Sequence, residues 1–168
     1  MDALITGDIK HSIDSSNRLF VSKKLRSQMG GDEAGLVVYL VPGVNSAGAL
    51  YTEQAFRRYV YSTPVSEMDD PVAYERMMFS MAHKFELDKS GRIQLTEELI
   101  NLYDFKDNLS LLGVGDHIEI WNTDDWYQYR KEQFAKFQKQ TRAARSRTFE
   151  TNRKEANSLA SSSKESEG

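Results

Sequence analysis

Lys84-Phe-Glu-Leu-Asp-Lys-Ser-Gly-Arg-Ile-Gln-Leu-Thr-Glu-Glu-Leu99 repeats, 74 residues on, the pattern of Lys10-His-Ser-Ile-Asp-Ser-Ser-Asn-Arg-Leu-Phe-Val-Ser-Lys-Lys-Leu25. Lys10 aligns with Lys84, Ile13 with Leu87, Asp14 with Asp88, Ser16 with Ser90 and Arg18 with Arg92. Leu19, Val21 and Leu25 align with Ile93, Leu95 and Leu99. Two further blocks follow in the same order. Leu36-Val-Val-Tyr-Leu-Val41 resembles Leu109-Ser-Leu-Leu-Gly-Val114, and Leu50-Tyr51 through Phe56 resembles Ile120-Trp121 through Trp126. The last offset is 70, so the first copy carries four extra residues around Pro42 to Ala49. Chance supplies an Asp-x-x-x-Arg twice; three blocks in matched order point to an internal repeat.

Each copy gives the same coarse reading. A short strand reaches the Asp. A turn follows, with Asn17 or Gly91 at the position suited to a left-handed conformation. A second strand alternates through Leu19 and Val21, or Ile93 and Leu95. Ser22 and Thr96 are placed as N-caps of a short helical turn holding Leu25 or Leu99. An apolar strand pair comes next, ending at Tyr51 or Trp121. A helix closes each copy, with Thr52 or Thr123 near its start. Phe56, Tyr59 and Val60 share one helical face. Thr63-Pro64 should end that helix, and a second segment is predicted from Pro71 to Arg76, capped by Asp69 or Asp70. The expected core is Leu36, Val37, Val38, Leu40, Leu109, Leu111, Leu112, Ile118 and Ile120.

The chain has 168 residues, room for one domain or two small repeats sharing a core. It has no cysteine, which excludes disulfides, thiolate metal sites and a cysteine nucleophile. Met1 to Ile9 do not read as a signal peptide, and the apolar run Leu36 to Pro42 is too short to cross a membrane. A cytoplasmic protein is expected. His11, His83 and His117 form no metal-ligand spacing, and catalysis would need a paired partner in reach. Gly113-Val-Gly115 lacks the third Gly and the Lys of a phosphate loop. No catalytic residue, metal or cofactor is expected, and the chain does not read as an enzyme.

Net charge is −3, but its distribution carries more information. Residues 1–128 hold 12 Lys/Arg and 20 Asp/Glu, a net of −8, and residues 129–168 hold 10 and 5, a net of +5. Within the acidic part, Lys10 to Arg26 has a net of +4, with Asp14 its one acid. A protruding two-stranded ribbon of that charge can enter a DNA major groove. The candidate DNA-contacting set is therefore Lys10, His11, Ser15, Ser16, Asn17, Arg18, Lys23, Lys24 and Arg26. The four Lys/Arg at 10, 23, 24 and 26 would neutralise phosphates, and Ser15 to Arg18 would present donors near base edges.

Residues 84–99 carry a net of −1, with Glu86, Glu97 and Glu98 flanking the motif. Asp88 and Arg92 are accordingly read as a structural pair, as Asp14 also is with its own Arg, since an Arg fork can pin a turn without a ligand. The basic run Arg130 to Lys154 suits a solvated helix end or an arm adding phosphate contacts. From about residue 145 the composition predicts a mobile tail.

The stretch Phe85 to Leu99, the closing block Leu112-Gly-Val-Gly-Asp-His-Ile-Glu-Ile-Trp121 with Trp126, and the opening block His11 to Leu19 resemble the MraZ family of bacterial transcriptional regulators. The resemblance covers about residues 5–130. It implies an α+β fold of tandem AbrB-like swapped-hairpin barrel modules with short helices and a pseudo-twofold internal repeat. The implied organisation is a first module at 5–62, a connecting helical segment at 63–80, a second module at 81–130, and a basic helix end and tail at 131–168. It further implies a homo-oligomeric ring binding direct repeats of double-stranded DNA upstream of the division and cell-wall gene cluster, repression, and a nucleoid location. Ser16-Asn17 stand where the family has Lys-Gly, and Ser22 and Thr96 stand where it has Pro. The rival reading is an assembly protein of the same fold that no longer binds DNA specifically.

Overall fold

The computed structural model describes residues 4–31, 35–45 and 48–165, with side chains undescribed at 152 and 155–165. The chain divides into two units, Met1–Trp126 and Tyr127–Gly168.

In the first unit the order strand, strand, helix, strand, strand, helix occurs twice, the second helix continuing past Trp126. The first run is β1 (Ile5–Ser12), β2 (Arg18–Phe20), α1 (Lys23–Gln28), β3 (Val37–Pro42), β4 (Gly48–Thr52) and α2 (Glu53–Ser62). A 3-10 turn at Val65–Glu67 and α3 (Pro71–Ser80) connect it to the second. That run is β5 (His83–Glu86), β6 (Arg92–Gln94), α4 (Glu97–Leu102), β7 (Asn108–Gly115), β8 (His117–Asn122) and α5 (Thr123–Glu165).

Local chemistry sets these boundaries. The Ser22, Thr52 and Thr96 hydroxyls accept from the N–H of Leu25, Ala55 and Leu99, capping α1, α2 and α4. Asp70 caps α3 from the Ala73 N–H, with Pro71 in its first turn. Thr63 closes α2 just before Pro64. Asn17 and Gly91 both hold positive φ, 58° and 78°, as their turn positions require.

The strands pair across the two halves. Six form one antiparallel sheet in the order β1-β7-β8-β4-β3-β5. Thus β1 of the first half lies on β7 of the second, and β5 of the second lies on β3 of the first. β4 and β8 join the halves at the centre. The remaining strands, β2 and β6, pair with each other: Arg18 opposite Gln94, Leu19 opposite Ile93, Phe20 opposite Arg92.

This pairing corrects the expected protruding ribbon. Within the first half, the Ile13–Leu19 bridge, the Asp14 N–H to Arg18 carbonyl and Asn17 N–H to Asp14 carbonyl bonds, and the Asp14 side chain close the turn before its strands part. The physical reason is burial. Leu19, Val21, Leu25, Ile93, Leu95 and Leu99 all join the main core, where a free ribbon would expose them. They pack with Leu40, Leu50, Leu109, Leu111, Ile118 and Ile120. Full burial of one such side chain contributes about 1.5–3 kcal/mol. Two expected core residues fall short: Leu36 and Val37 are only partly buried.

A smaller cluster, Val41, Ala49, Tyr51, Ala55 and Phe56, seats α2, with Tyr59 and Val60 packed against it. Tyr51 stacks on Tyr59 at 5.3 Å and on His117 at 4.6 Å.

In the second unit the chain is helical to Glu165. Helix therefore continues through residues 145–165, where composition predicts a mobile tail; 166–168 lie outside the described residues. No Gly or Pro interrupts residues 123–165. Phe134, Phe137 and Phe149 are exposed along it. Among the described residues, no helix is long and apolar enough to cross a membrane.

At Gly113 the backbone of β1 comes close to β7. A Cβ there would stand 2.5 Å from the Thr6 nitrogen and 2.6 Å from the Ile5 carbonyl carbon, both backbone atoms of β1. Gly113→Ala is expected to cost about 1–3 kcal/mol by forcing β1 off β7. Urea unfolding monitored by circular dichroism checks this; an unchanged midpoint would show that the seam can relax.

Candidate nucleic-acid interface

The two Asp-x-x-x-Arg turns have the same internal wiring. Asp14 Oδ1 accepts from the Ser16 and Arg18 amides at 2.9 and 3.0 Å, and Oδ2 accepts from Arg18 Nε at 2.8 Å. Asp88 Oδ1 accepts from the Ser90 and Arg92 amides at 2.8 and 3.0 Å, and Oδ2 from Arg92 Nε at 2.9 Å. In each turn the Asp carboxylate closes the loop and steers the guanidinium through one nitrogen. Arg18 and Arg92 remain about a third exposed. Among the described residues their Nη nitrogens make no hydrogen bond, so the fork keeps donors for an outside acceptor.

The carboxylates respond electrostatically. Partial burial pushes the Asp14 carboxyl up, but the Arg18 and Ser16 amides and the Arg18 guanidinium outweigh it and hold it below its ordinary value of 3.8. For Asp88 the Arg92 amide leads. It acts against a smaller burial effect and with the Arg92 guanidinium and the Ser90 amide, again holding the carboxyl low.

The expected contact residues separate into three groups. Lys10 on β1, Ser15 and Ser16 in the first turn, and Lys23 and Lys24 on α1 are exposed. Asn17 and Arg18 are half-buried at the turn. His11 and Arg26 are drawn inward. The His11 ring meets Phe20 edge-on at 5.2 Å, its Nε2 is buried with no hydrogen-bond partner among the described residues, and burial lowers its pKa. Such a ring resists carrying charge. It is a poor phosphate contact.

Arg26 is the clear correction. It is 8% exposed, and its Nε donates to the Val21 carbonyl at 2.9 Å. Its guanidinium lies over Gly91, where a Cβ would come within 2.5 Å of Arg26 Cζ. Arg26 fastens the second turn to α1 and does not reach out to phosphate. The reason is the β2–β6 ladder, which extends at both ends. Val21 N–H donates to the Gly91 carbonyl and Leu95 N–H to the Asn17 carbonyl, each at 2.8 Å.

Two contributors escaped the reading of the sequence. Gln94 Nε2 donates to the Ser16 carbonyl at 2.8 Å, bracing the first turn from the other half. Its aligned counterpart is Phe20, so the repeat gave no signal. Lys89 is exposed on the second turn beside Ser90; the acids nearby in sequence masked it.

With this geometry in view, the comparisons with known proteins are informative. A family model described as "MraZ protein, putative antitoxin-like" matches residues 78–149. The chain is 30% identical over 124 residues to a protein named transcriptional regulator MraZ from Finegoldia magna, covering 73% of this chain and 83% of that one. Proteins of the same name are 26% identical in Mycoplasmoides gallisepticum, over 80% of this chain and 92% of the relative, and in Clostridium tetani, over 75% and 87%.

The depressed carboxyls predict an acid limit. Their stabilisation is full above the unfolded value of 3.8 and is lost as pH falls through the lower folded values. The double variant Asp14→Asn/Asp88→Asn should melt below the parent at pH 7, and the two should converge as pH falls below 3.8 and through the lowered folded values. Parallel curves at every pH would remove the carboxylates from the stability of the turns.

Proposed function

The chain belongs to the MraZ family, and we propose that it is a transcriptional regulator that binds double-stranded DNA through its Asp-x-x-x-Arg turns. The observation that carries this reading is the turn lock itself. A carboxylate fixes each Arg by Nε and leaves the rest of a rigid fork at the surface, the arrangement suited to a paired acceptor such as a phosphate or, at Arg18, guanine O6 and N7. At the first turn, Ser15, Ser16 and Asn17 add short donors and acceptors beside Arg18.

Family resemblance extends this reading. The protein is a repressor of the division and cell-wall gene cluster, acting in the cytoplasm at the nucleoid. Several subunits of a ring engage direct repeats, one turn to each, so that modest single contacts combine. The relatives named as transcriptional regulators support a role in transcriptional regulation. The basic residues of the second unit support added phosphate contacts.

A second reading, assembly without specific DNA binding, is favoured by the neutral Ser16-Asn17 tip and by an apolar surface on the connecting helix. Val72, Met77 and Phe79 of α3 are exposed. β1 and β5 also lie at the edges of the sheet, each paired on one side only among the described residues. These features suit subunit contacts and are compatible with both readings.

Arg18→Ala should cost about 1–3 kcal/mol in binding to the chain's own upstream DNA, and lose much of the preference over an unrelated duplex. Fluorescence anisotropy at one fixed salt concentration measures both. Arg18→Lys should recover affinity without recovering preference, because a point charge lacks the fork. Equal affinity and preference in the alanine variant, with folding intact, would transfer the reading role elsewhere.

A further inference from the structure

We infer that the phosphate-gripping surface of this protein is composite: Lys23 and Lys24 of α1 act together with Lys89 and Arg92 of the second turn, brought together from opposite halves by the β2–β6 exchange. This deepens the proposed DNA binding and rests on it.

Counted along the chain, the lysines of α1 belong to the first turn, and Glu97 and Glu98 belong to the second. Counted through the fold, they change places. β2 and β6 run antiparallel, so the residues leaving β2 arrive at the turn that precedes β6. Val21 N–H bonds the Gly91 carbonyl, and Ser22 and Lys23 follow directly. Arg26, one turn further along α1, lies on Gly91. At the other end of the ladder Leu95 N–H bonds the Asn17 carbonyl, Gln94 bonds Ser16, and α4 starts at Glu97.

The charges then sort sharply. The second turn with α1 gathers Lys23, Lys24, Arg26, Lys89 and Arg92 against Asp88 alone, a net of +4. The first turn with α4 gathers Arg18 against Asp14, Glu97 and Glu98, a net of −2. Lys23, Lys24 and Lys89 are exposed, as are Glu97 and Glu98. A polyanionic backbone is attracted to the first collection and repelled by the second.

The two ends thereby take different tasks. Lysines at the second turn are compact charges that fit phosphates of any sequence. The first turn mixes Ser, Asn, Arg and carboxylates, the groups that pair with base edges. Arg26 matters to the composite without touching DNA, because its buried guanidinium packs α1 against Gly91 of the second turn. Gly91 is required there: any side chain would displace that guanidinium.

The test is the salt dependence of binding by the full chain to its own upstream duplex and to an unrelated duplex. Parent, Lys23→Ala/Lys24→Ala, Lys89→Ala and Glu97→Gln/Glu98→Gln are compared, with thermal melting as the folding check. Each lost phosphate contact should flatten the slope of log affinity against log salt by about 0.9. We expect losses of about two units for the α1 pair and about one for Lys89→Ala, similar on both duplexes, and no loss of slope for the glutamate pair. Parent-like slopes in both lysine variants, with the parent still binding, would overturn the composite surface and leave the DNA-binding reading standing. A parent that binds neither duplex at low salt would overturn that reading, and the composite surface with it.

Discussion

Leu19 and Ile93 face each other as the middle of three residue pairs, both completely buried, and neither can be buried unless both halves of the chain are present. One half alone would own a three-residue strand with no partner and an apolar face turned to water. Such a strand is an edge without protection. The exchange answers this by making each half the cover of the other. It also commits the outer sheet: once β2 crosses to β6, β1 and β5 continue onto β7 and β3 of the opposite halves. The ladder, the two turns and the sheet order are thus one decision, made by the burial of a few aliphatic side chains.

The same ladder explains why two turns with one wiring diagram have different surroundings. Each Asp organises its own Arg by local bonds spanning two to four residues, so the turns look alike wherever the ladder places them. What lies beside each turn is set by the other half. Arg26 has Ile100 as its counterpart in the repeat, and both face inward, Ile100 against the core and Arg26 onto Gly91 and the Val21 carbonyl. Burying a guanidinium is costly unless its donors are met. The ladder places the Val21 carbonyl within its reach, which makes the inward position tolerable.

What could be read in advance follows from the range of each interaction. The positive φ of Asn17 and Gly91, the caps Ser22, Thr52, Thr96 and Asp70, and the stop at Thr63-Pro64 each depend on residues within four positions. All were legible. The alternation of Leu19 with Val21, and of Ile93 with Leu95, marked strands, but nothing in either segment names its partner 74 residues away. Local pattern alone therefore fits a free ribbon, keeps these residues out of the expected core and makes Arg26 a surface charge. Charge summed along the chain failed for the same reason. The helix beyond residue 145 was missed differently: a polar composition without breakers fits both a mobile segment and a solvated helix.

Pseudo-symmetry poses a problem for any reader of direct repeats. A fold whose halves are alike offers the duplex two nearly equal orientations, yet direct repeats share one polarity and must be met one way round. Base contacts alone discriminate late, after the surface has docked. Phosphate contacts act earlier, since they draw the duplex in and set its register. If only one end of the ladder attracts the backbone, the approach is already oriented before any base is read. On the proposed DNA-binding reading, an unequal distribution of lysine and glutamate over an equal pair of turns would achieve this without disturbing the symmetry that the core requires. Apart from Arg26 opposite Ile100, the buried aliphatic residues can then stay matched while the exposed charges of α1 and α4 diverge: aliphatic stands opposite aliphatic at Leu19, Val21 and Leu25, but lysine opposite glutamate at Lys23 and Glu97, and again at Lys24 and Glu98.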